Sequence, residues 1–236
     1  MSSTPTALPE QQSATAARVV TAAGELLLKR GARGFTVADV ATRAHVGKGT
    51  VYLYWPTKED LLLGLVGRGF LALLDDLIIR LDSDPDLARP SRFCPTMLDA
   101  AVNHPLVAAL QRQDGDLLGM LADHPRSLTL HETLGPSAVI GAVLPVWRRH
   151  RMTRSDWDIA DQAFALHGLV TGVAMTMMAD SRPTTDPLRV VSAAVTALLG
   201  PDDATSDDIT AAAGEVAAFL RERRNAAVGL IAGDVP

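Results

Sequence analysis

The chain is predicted to be all-α, with an N-terminal helix-turn-helix domain ahead of a larger helical domain. Three observations predict it. No stretch of useful length alternates apolar and polar residues with period two, while apolar residues recur at three- and four-residue spacing along most of the 236 residues. With 47% apolar and 21% charged residues the chain can bury a sizeable core. Two Thr-x-x-Asp boxes, Thr36 to Asp39 and Thr57 to Asp60, each stand just ahead of an apolar-periodic run, as helix starts do.

Residues 1–14 are polar and lack the apolar segment of a secretory signal, so they are expected to form a disordered arm. Residues 13–31 read as an amphipathic helix with Ala17, Val20, Ala23, Leu27 and Leu28 inward, ending at Gly31. Thr36 opens a short helix with Val37, Val40, Ala41 and Ala44 on its apolar face. The turn His45-Val46-Gly47 hands over to a second short helix, Lys48 to Trp55, which Pro56 stops. Thr57 then caps a long helix over 58–81 that carries Leu61, Leu62, Leu65, Phe70, Leu73, Leu74 and Leu77. The Asp- and Pro-rich segment 82–91 reads as a link. Further helices are predicted over 91–103, 105–111, 113–123, 136–150, 155–180, 187–200 and 206–231. The uncharged stretch from Ala163 to Ala179 is shorter than the roughly 20 residues that span a bilayer, so no membrane partner is expected.

Net charge is -5, but its distribution matters more than its total. Residues 15–58 carry seven lysines and arginines against Glu25 and Asp39, whereas from residue 81 onward 13 arginines face 20 acids. A basic head on an acidic body suits a nucleic-acid reader with a separate sensing region. Cys94 is the only cysteine, which excludes an intrachain disulfide and suits a reducing cytoplasm; it is read as a buried thiol, with redox sensing as the other possibility. No catalytic residue, metal site or cofactor is expected: there are six glutamates and no Glu-x-x-His pair, His131-Glu132 lacks its second histidine, and no phosphate loop or Gly-x-Ser-x-Gly elbow occurs.

The second short helix offers a cation, a hydroxyl with a methyl group, and two phenols in Lys48, Thr50, Tyr52 and Tyr54. Thr50 suits a base edge or a thymine methyl; Lys48 and the tyrosines suit base edges or phosphates. Gly49 would permit close approach to the DNA backbone. Val51, Leu53 and Trp55 are expected in the core.

The order of a capped TVADVA helix, a turn, KGTVYLYW and then TKEDLL, within residues 15–70, resembles the N-terminal DNA-binding domain of TetR-type transcriptional regulators. The resemblance implies that Thr36 and Lys58, each at a helix N-terminus, face the DNA backbone. It divides the chain into a DNA-binding domain, 15–60, and a ligand-binding and dimerisation domain, 61–231. Two positions depart from the family pattern. His45 stands where many members have glycine, and Gly47 where many have serine; His45 tolerates the left-handed region and could replace the missing phosphate contact.

The expected function is a homodimeric repressor that leaves a near-palindromic double-stranded operator when a small hydrophobic effector binds. The alternative is a dimeric small-molecule-binding protein that regulates no promoter. Dimerisation is assigned to the helices 155–180 and 206–231, through Gly168 and Gly172 on the first and Ile209, Ala213, Val216 and Leu220 on the second. If the resemblance extends to the effector cavity, its lining candidates are Phe70, Met97, Leu117, Met120, Leu121, Val143, Trp147, Phe164, Thr171 and Met175, with His104 and His167 to orient the ligand.

Overall fold

The computed structural model describes residues 7–111, 115–122, 124–178, 186–200 and 202–232. Among the described residues there are α-helices and one 3-10 turn, and no strand. The helices are α1 (Pro9–Gln12), α2 (Ala14–Arg30), α3 (Val37–Ala44), α4 (Lys48–Tyr54), α5 (Lys58–Ser83), α6 (Pro90–Asn103), α7 (Pro105–Gln111), α8 (Gly115–Ala122), α9 (Pro125–Leu134), α10 (Pro136–Arg149), α11 (Ile159–Met178), α12 (Pro187–Leu199) and α13 (Ser206–Ala232). None is long and apolar enough to cross a membrane.

The chain divides into two compact units. One holds the described residues of Met1–Leu71, Pro105–Thr133 and Asn225–Pro236, the other those of Ala72–His104 and Leu134–Arg224. The boundary expected between residues 60 and 61 therefore falls inside the first unit, near the start of α5. Hydrogen bonding explains why. Asp60 takes a 3.1 Å bond from His124 Nε2 and a second from Arg126, whose Nη1 also donates to the Leu230 carbonyl at 3.0 Å. The Arg126 backbone N–H donates to His124 Nδ1 at 3.2 Å, so the ring hydrogen is on Nε2, facing Asp60. Gly67 completes the joint: a Cβ there would lie 2.3 Å from Ile231 Cδ1, so only glycine lets the end of α13 close on α5.

In the second unit α6 packs against α12, and α11 packs against α6, α10 and α12. The centre is Trp147, fully buried, whose Nε1 donates to the Ala88 carbonyl at 2.7 Å and whose ring meets Phe93 edge-on at 5.7 Å. A buried indole with its N–H satisfied combines a large apolar area with no polar penalty. Cys94 beside Phe93 is fully buried, and burial pushes its thiol up to about 12. It stays protonated, which removes the nucleophilicity that redox sensing needs.

Several elements differ from the sequence expectation. Residues 9–12 form α1 rather than an arm, with Leu8 and Pro9 buried; residues 1–6 of the expected arm lie outside the described residues, as do 113, 114, 123, 179 and 180 of the predicted helices. α9 escaped the periodicity because PRSLTLHETL has no apolar stripe; its signal is Pro125 at the first helical position, where no N–H is needed. The link at 82–91 contains a 3-10 turn, Pro85–Ala88, that buries Leu87 and Ala88. The buried face of α2 is Ala16, Val19, Ala22, Ala23, Leu26 and Leu27, nearly one residue round from the face expected, and Leu28 is exposed.

Candidate nucleic-acid interface

Local hydrogen bonds hold the two short helices. The Thr36 N–H and hydroxyl each donate to Asp39 Oδ2 at 2.7 Å, and the Asp39 N–H returns to Thr36 Oγ1 at 3.2 Å. These bonds hold the Asp39 carboxyl below its ordinary range. They also use both donors of Thr36, so its side chain, though exposed, has no free proton for a phosphate. α3 ends at His45, which adopts φ 55°, ψ 48°; the Val46 N–H to the Ala41 carbonyl, at 3.0 Å, closes the turn. Histidine thus takes the left-handed position that glycine would fill at lower cost, and its ring is exposed. Gly47 stands as the N-cap of α4 with no side-chain bond.

α4 is seven residues long and buries only Val51, followed by Trp55 just past its end at 3% exposure. Lys48, Gly49, Tyr52 and Leu53 are exposed and Thr50 is half-buried. Lys48 Nζ sits 5.6 Å from the Tyr52 ring centroid. Leu53 is a correction to the sequence reading, which placed it in the core: it is 68% exposed. Two residues advance a helix by about 200°, so with Val51 inward Leu53 must point out. Gly49 has no internal reason to be glycine, since a Cβ would meet nothing within 4 Å. At the second position of α4 glycine is still a poorer helix former than alanine.

Two expected DNA contacts are turned toward the chain instead. The Tyr54 hydroxyl is 2.8 Å from Ser13 Oγ. Lys58 Nζ donates to the carbonyls of Ala32 at 2.6 Å and Phe35 at 2.5 Å, and lies 4.5 Å from the Phe35 ring. Burial lowers the Lys58 pKa from its ordinary value. Two of its three donors close the loop between α2 and α3. The structure therefore groups His45, Lys48, Gly49, Thr50 and Tyr52, with Leu53, around one short helix, and ties Thr36, Tyr54 and Lys58 to their own surroundings.

The ligand candidates do not gather in one unit. Phe70, Leu117, Met120 and Leu121 belong to the first, and Met97, His104, Val143, Trp147, Phe164, His167, Thr171 and Met175 to the second. Met97, Val143 and Trp147 are core residues. Phe164, Thr171 and Met175 face outward, Phe164 at 82% exposure, because α11 turns Leu166, Val170 and Ala174 inward. His167 meets Ser137 Oγ at 3.2 Å, and His104 Nδ1 is buried without a partner, burial lowering the pKa of the ring. Of the interface candidates, Gly168 and Gly172 are exposed, and a Cβ at either would meet nothing within 4 Å, while Ile209, Ala213, Val216 and Leu220 are buried within the chain. The apolar stripe of α13 is consumed by intramolecular packing.

Comparison with known proteins agrees with this geometry. Residues 19–65 match the family of bacterial regulatory proteins called the tetR family. No curated protein matches the chain. Among solved structures, the reduced form of NemR from E. coli superposes with a TM-score of 0.58 at 20% identity, covering 80% of this chain and 99% of that one. The fatty acid degradation regulator FadR from Bacillus halodurans gives 0.55 at 18%, over 82% and 98%. FadR from Bacillus subtilis, in complex with stearoyl-CoA, gives 0.52 at 20%, over 78% and 98%. These likenesses extend the shared all-α fold well beyond the matched segment. The matched residues, 19–65, run from α2 to the first turns of α5 and include all of α3 and α4.

Proposed function

We propose that this protein is a homodimeric repressor that binds a near-palindromic operator in double-stranded DNA and leaves it when a small hydrophobic effector binds. The observation that carries the reading is α4: a helix with one buried residue that presents Lys48, Thr50, Tyr52 and Leu53 to solvent, on the basic segment of an otherwise acidic chain. Thr50 and Leu53 suit base edges and thymine methyls; Lys48 and His45 suit phosphates. Gly49 lets the backbone approach closely. So short a helix reads too few bases to hold a site alone, and a second copy on the symmetric half-site supplies the rest.

Dimerisation is supported by the outer face of α11, where Phe164 and Met175 are exposed on either side of Gly168 and Gly172. Glycines there cost helix stability without internal compensation, and a close-packed second helix would repay them. The outer face of α13 carries Ala211, Gly214 and Ala218, which replace the buried residues expected to serve. For the effector, the reading is supported by FadR from Bacillus subtilis, a protein of similar fold in complex with stearoyl-CoA. Release follows if the effector binds the low-affinity conformation more tightly than the operator-bound one.

Selection of genomic fragments by the purified protein, then footprinting and a salt titration on the best fragment, tests this. A protected near-palindrome whose affinity falls steeply with salt is expected. Weak binding that ignores sequence would instead favour a dimeric small-molecule-binding protein without a promoter.

A further inference from the structure

Residues 8–13 do more than precede α2. α1 has four residues, too few to be stable by itself, and is held by the burial of Leu8 and Pro9 and by an ion pair. Glu10 receives Arg68 Nε at 2.6 Å and Arg68 Nη2 as well, in a fork with both side chains mostly buried, at 20% and 12% exposure. Arg68 is fixed a second time by its Nη1, which donates to the Gly64 carbonyl at 2.7 Å, and its guanidinium lies 5.9 Å from the Trp55 ring. Gly64 makes room for this stack: a Cβ there would lie 2.9 Å from Arg68 Nη1 and 3.2 Å from Trp55 Nε1. One turn further along the segment, Ser13 Oγ shares its 2.8 Å bond with the Tyr54 hydroxyl while capping the Ala16 N–H of α2.

All of these contacts converge on the end of α4. Val51 and Trp55 are the buried anchors of that helix, which also packs on α3 and α2, and four residues apart they share one face, so they resist rotation about the helix axis only weakly. Tyr54 adds a third point off the axis, and Arg68 presses on Trp55. We infer that residues 8–13 are a brace that sets the orientation of α4, with Ser13 and Glu10 as positioning residues for DNA reading. The inference rests on the DNA-reading proposal above. Recognition needs side chains held within about 0.5 Å of their productive places, and a seven-residue helix cannot meet that from its own hydrogen bonds. Base readout should therefore depend on the brace more than phosphate binding does, because charge attraction tolerates a rotated helix and bidentate base contacts do not.

The test uses full-length Glu10→Gln and Ser13→Ala on two short duplexes: one selected by the unaltered protein from a random-sequence library, and the same duplex with its site scrambled. Each variant should bind the selected duplex about tenfold more weakly, keep its affinity for the scrambled one, and keep the salt slope. Ser13→Thr, which retains the hydroxyl, should restore selectivity. Hydrogen exchange at the amides of residues 48–55, measured without DNA, should speed up in Ser13→Ala and Glu10→Gln but not in Ser13→Thr. Parallel losses on both duplexes, tracking a lower melting temperature, would reduce the segment to a stability element. Unchanged exchange in α4 would overturn the brace whatever the DNA results. If exchange responds but the unaltered protein selects no sequence, the DNA-reading proposal fails, and a role in reading fails with it.

Discussion

α4 in the first unit and the α6, α10 and α11 cluster in the second both carry aromatic and aliphatic side chains that invite a functional role, but they use them in opposite ways. On α4 the large side chains Tyr52 and Leu53 stand in solvent beside Lys48, with Val51 the one fully buried residue. In the second unit Trp147, Phe93, Met97 and Val143 are buried, Trp147 edge-on against Phe93, while Phe164 and Met175 are exposed beside glycines on one helix face. Exposure that costs stability marks the surface that meets a partner, while a buried ring whose N–H is satisfied, as at Trp147, marks the scaffold. Under the proposed function, that contrast gives α4 to DNA, the outer face of α11 to a second copy of the chain, and Trp147 to stability.

The contrast breaks most visibly at Trp147. Trp147→Ala should cost about 3–5 kcal/mol in chemical denaturation, and any loss of DNA binding should follow the loss of folding. A stable Trp147→Ala protein that merely ignores effector would return this residue to a ligand site. Next comes Phe164→Asp, which leaves the monomer core untouched because the side chain is exposed. Sedimentation should show monomers, and operator affinity should fall on the order of a hundredfold once two half-sites are no longer linked. An unaltered dimer would move the interface elsewhere.

Asp60 sharpens the picture of the first unit. Burial opposes its ionisation, but hydrogen bonds from Thr57, His124 and Arg126 outweigh burial and hold its pKa below the ordinary value. Asp39 is likewise lowered by Thr36. Because both are depressed in the fold, their stabilisation is complete above the unfolded carboxylate range, near 3.9, and is lost as pH falls through the lower folded values. Asp60→Asn should remove part of that acid sensitivity in urea titrations between neutral and strongly acid pH; an identical acid profile would mean that Asp60 gives the first unit no such support. The smallest effect is expected at Lys48. Lys48→Ala should weaken binding to all sequences alike and lower the salt slope by about one, whereas Lys58→Ala, with two donors already engaged by carbonyls, should change the slope less and the stability more. Equal slopes for both variants would contradict the division drawn between them.

What could be read from the sequence follows the range of the forces involved. Both capping boxes and the stop before Pro56 act within three or four residues, so local spacing predicts them, and the structure has them in place; the left-handed His45 is expected from the family resemblance. The all-α class rests on the same short-range periodicity. Inward and outward faces need one more fact, the direction of the partner, and there the sequence misleads at Leu53, at the face of α2 and along α13. Tyr54 and Lys58 turn inward for a reason no local pattern carries: their partners, Ser13 and the Ala32 and Phe35 carbonyls, lie 41, 26 and 23 residues away. The grip of His124 and Arg126 on Asp60 spans more than sixty residues and has no local signature.

In the proposed function the exposed face of α4 reads base sequence. This is tested most directly by a single-base substitution scan of the selected duplex, carried out with the unaltered protein and with Thr50→Val. Two symmetric clusters of sensitive base pairs about one helical turn apart are expected, with discrimination relaxed in Thr50→Val at one matching position in each cluster. A uniform loss of affinity at every position, or a profile the substitution leaves untouched, would contradict it.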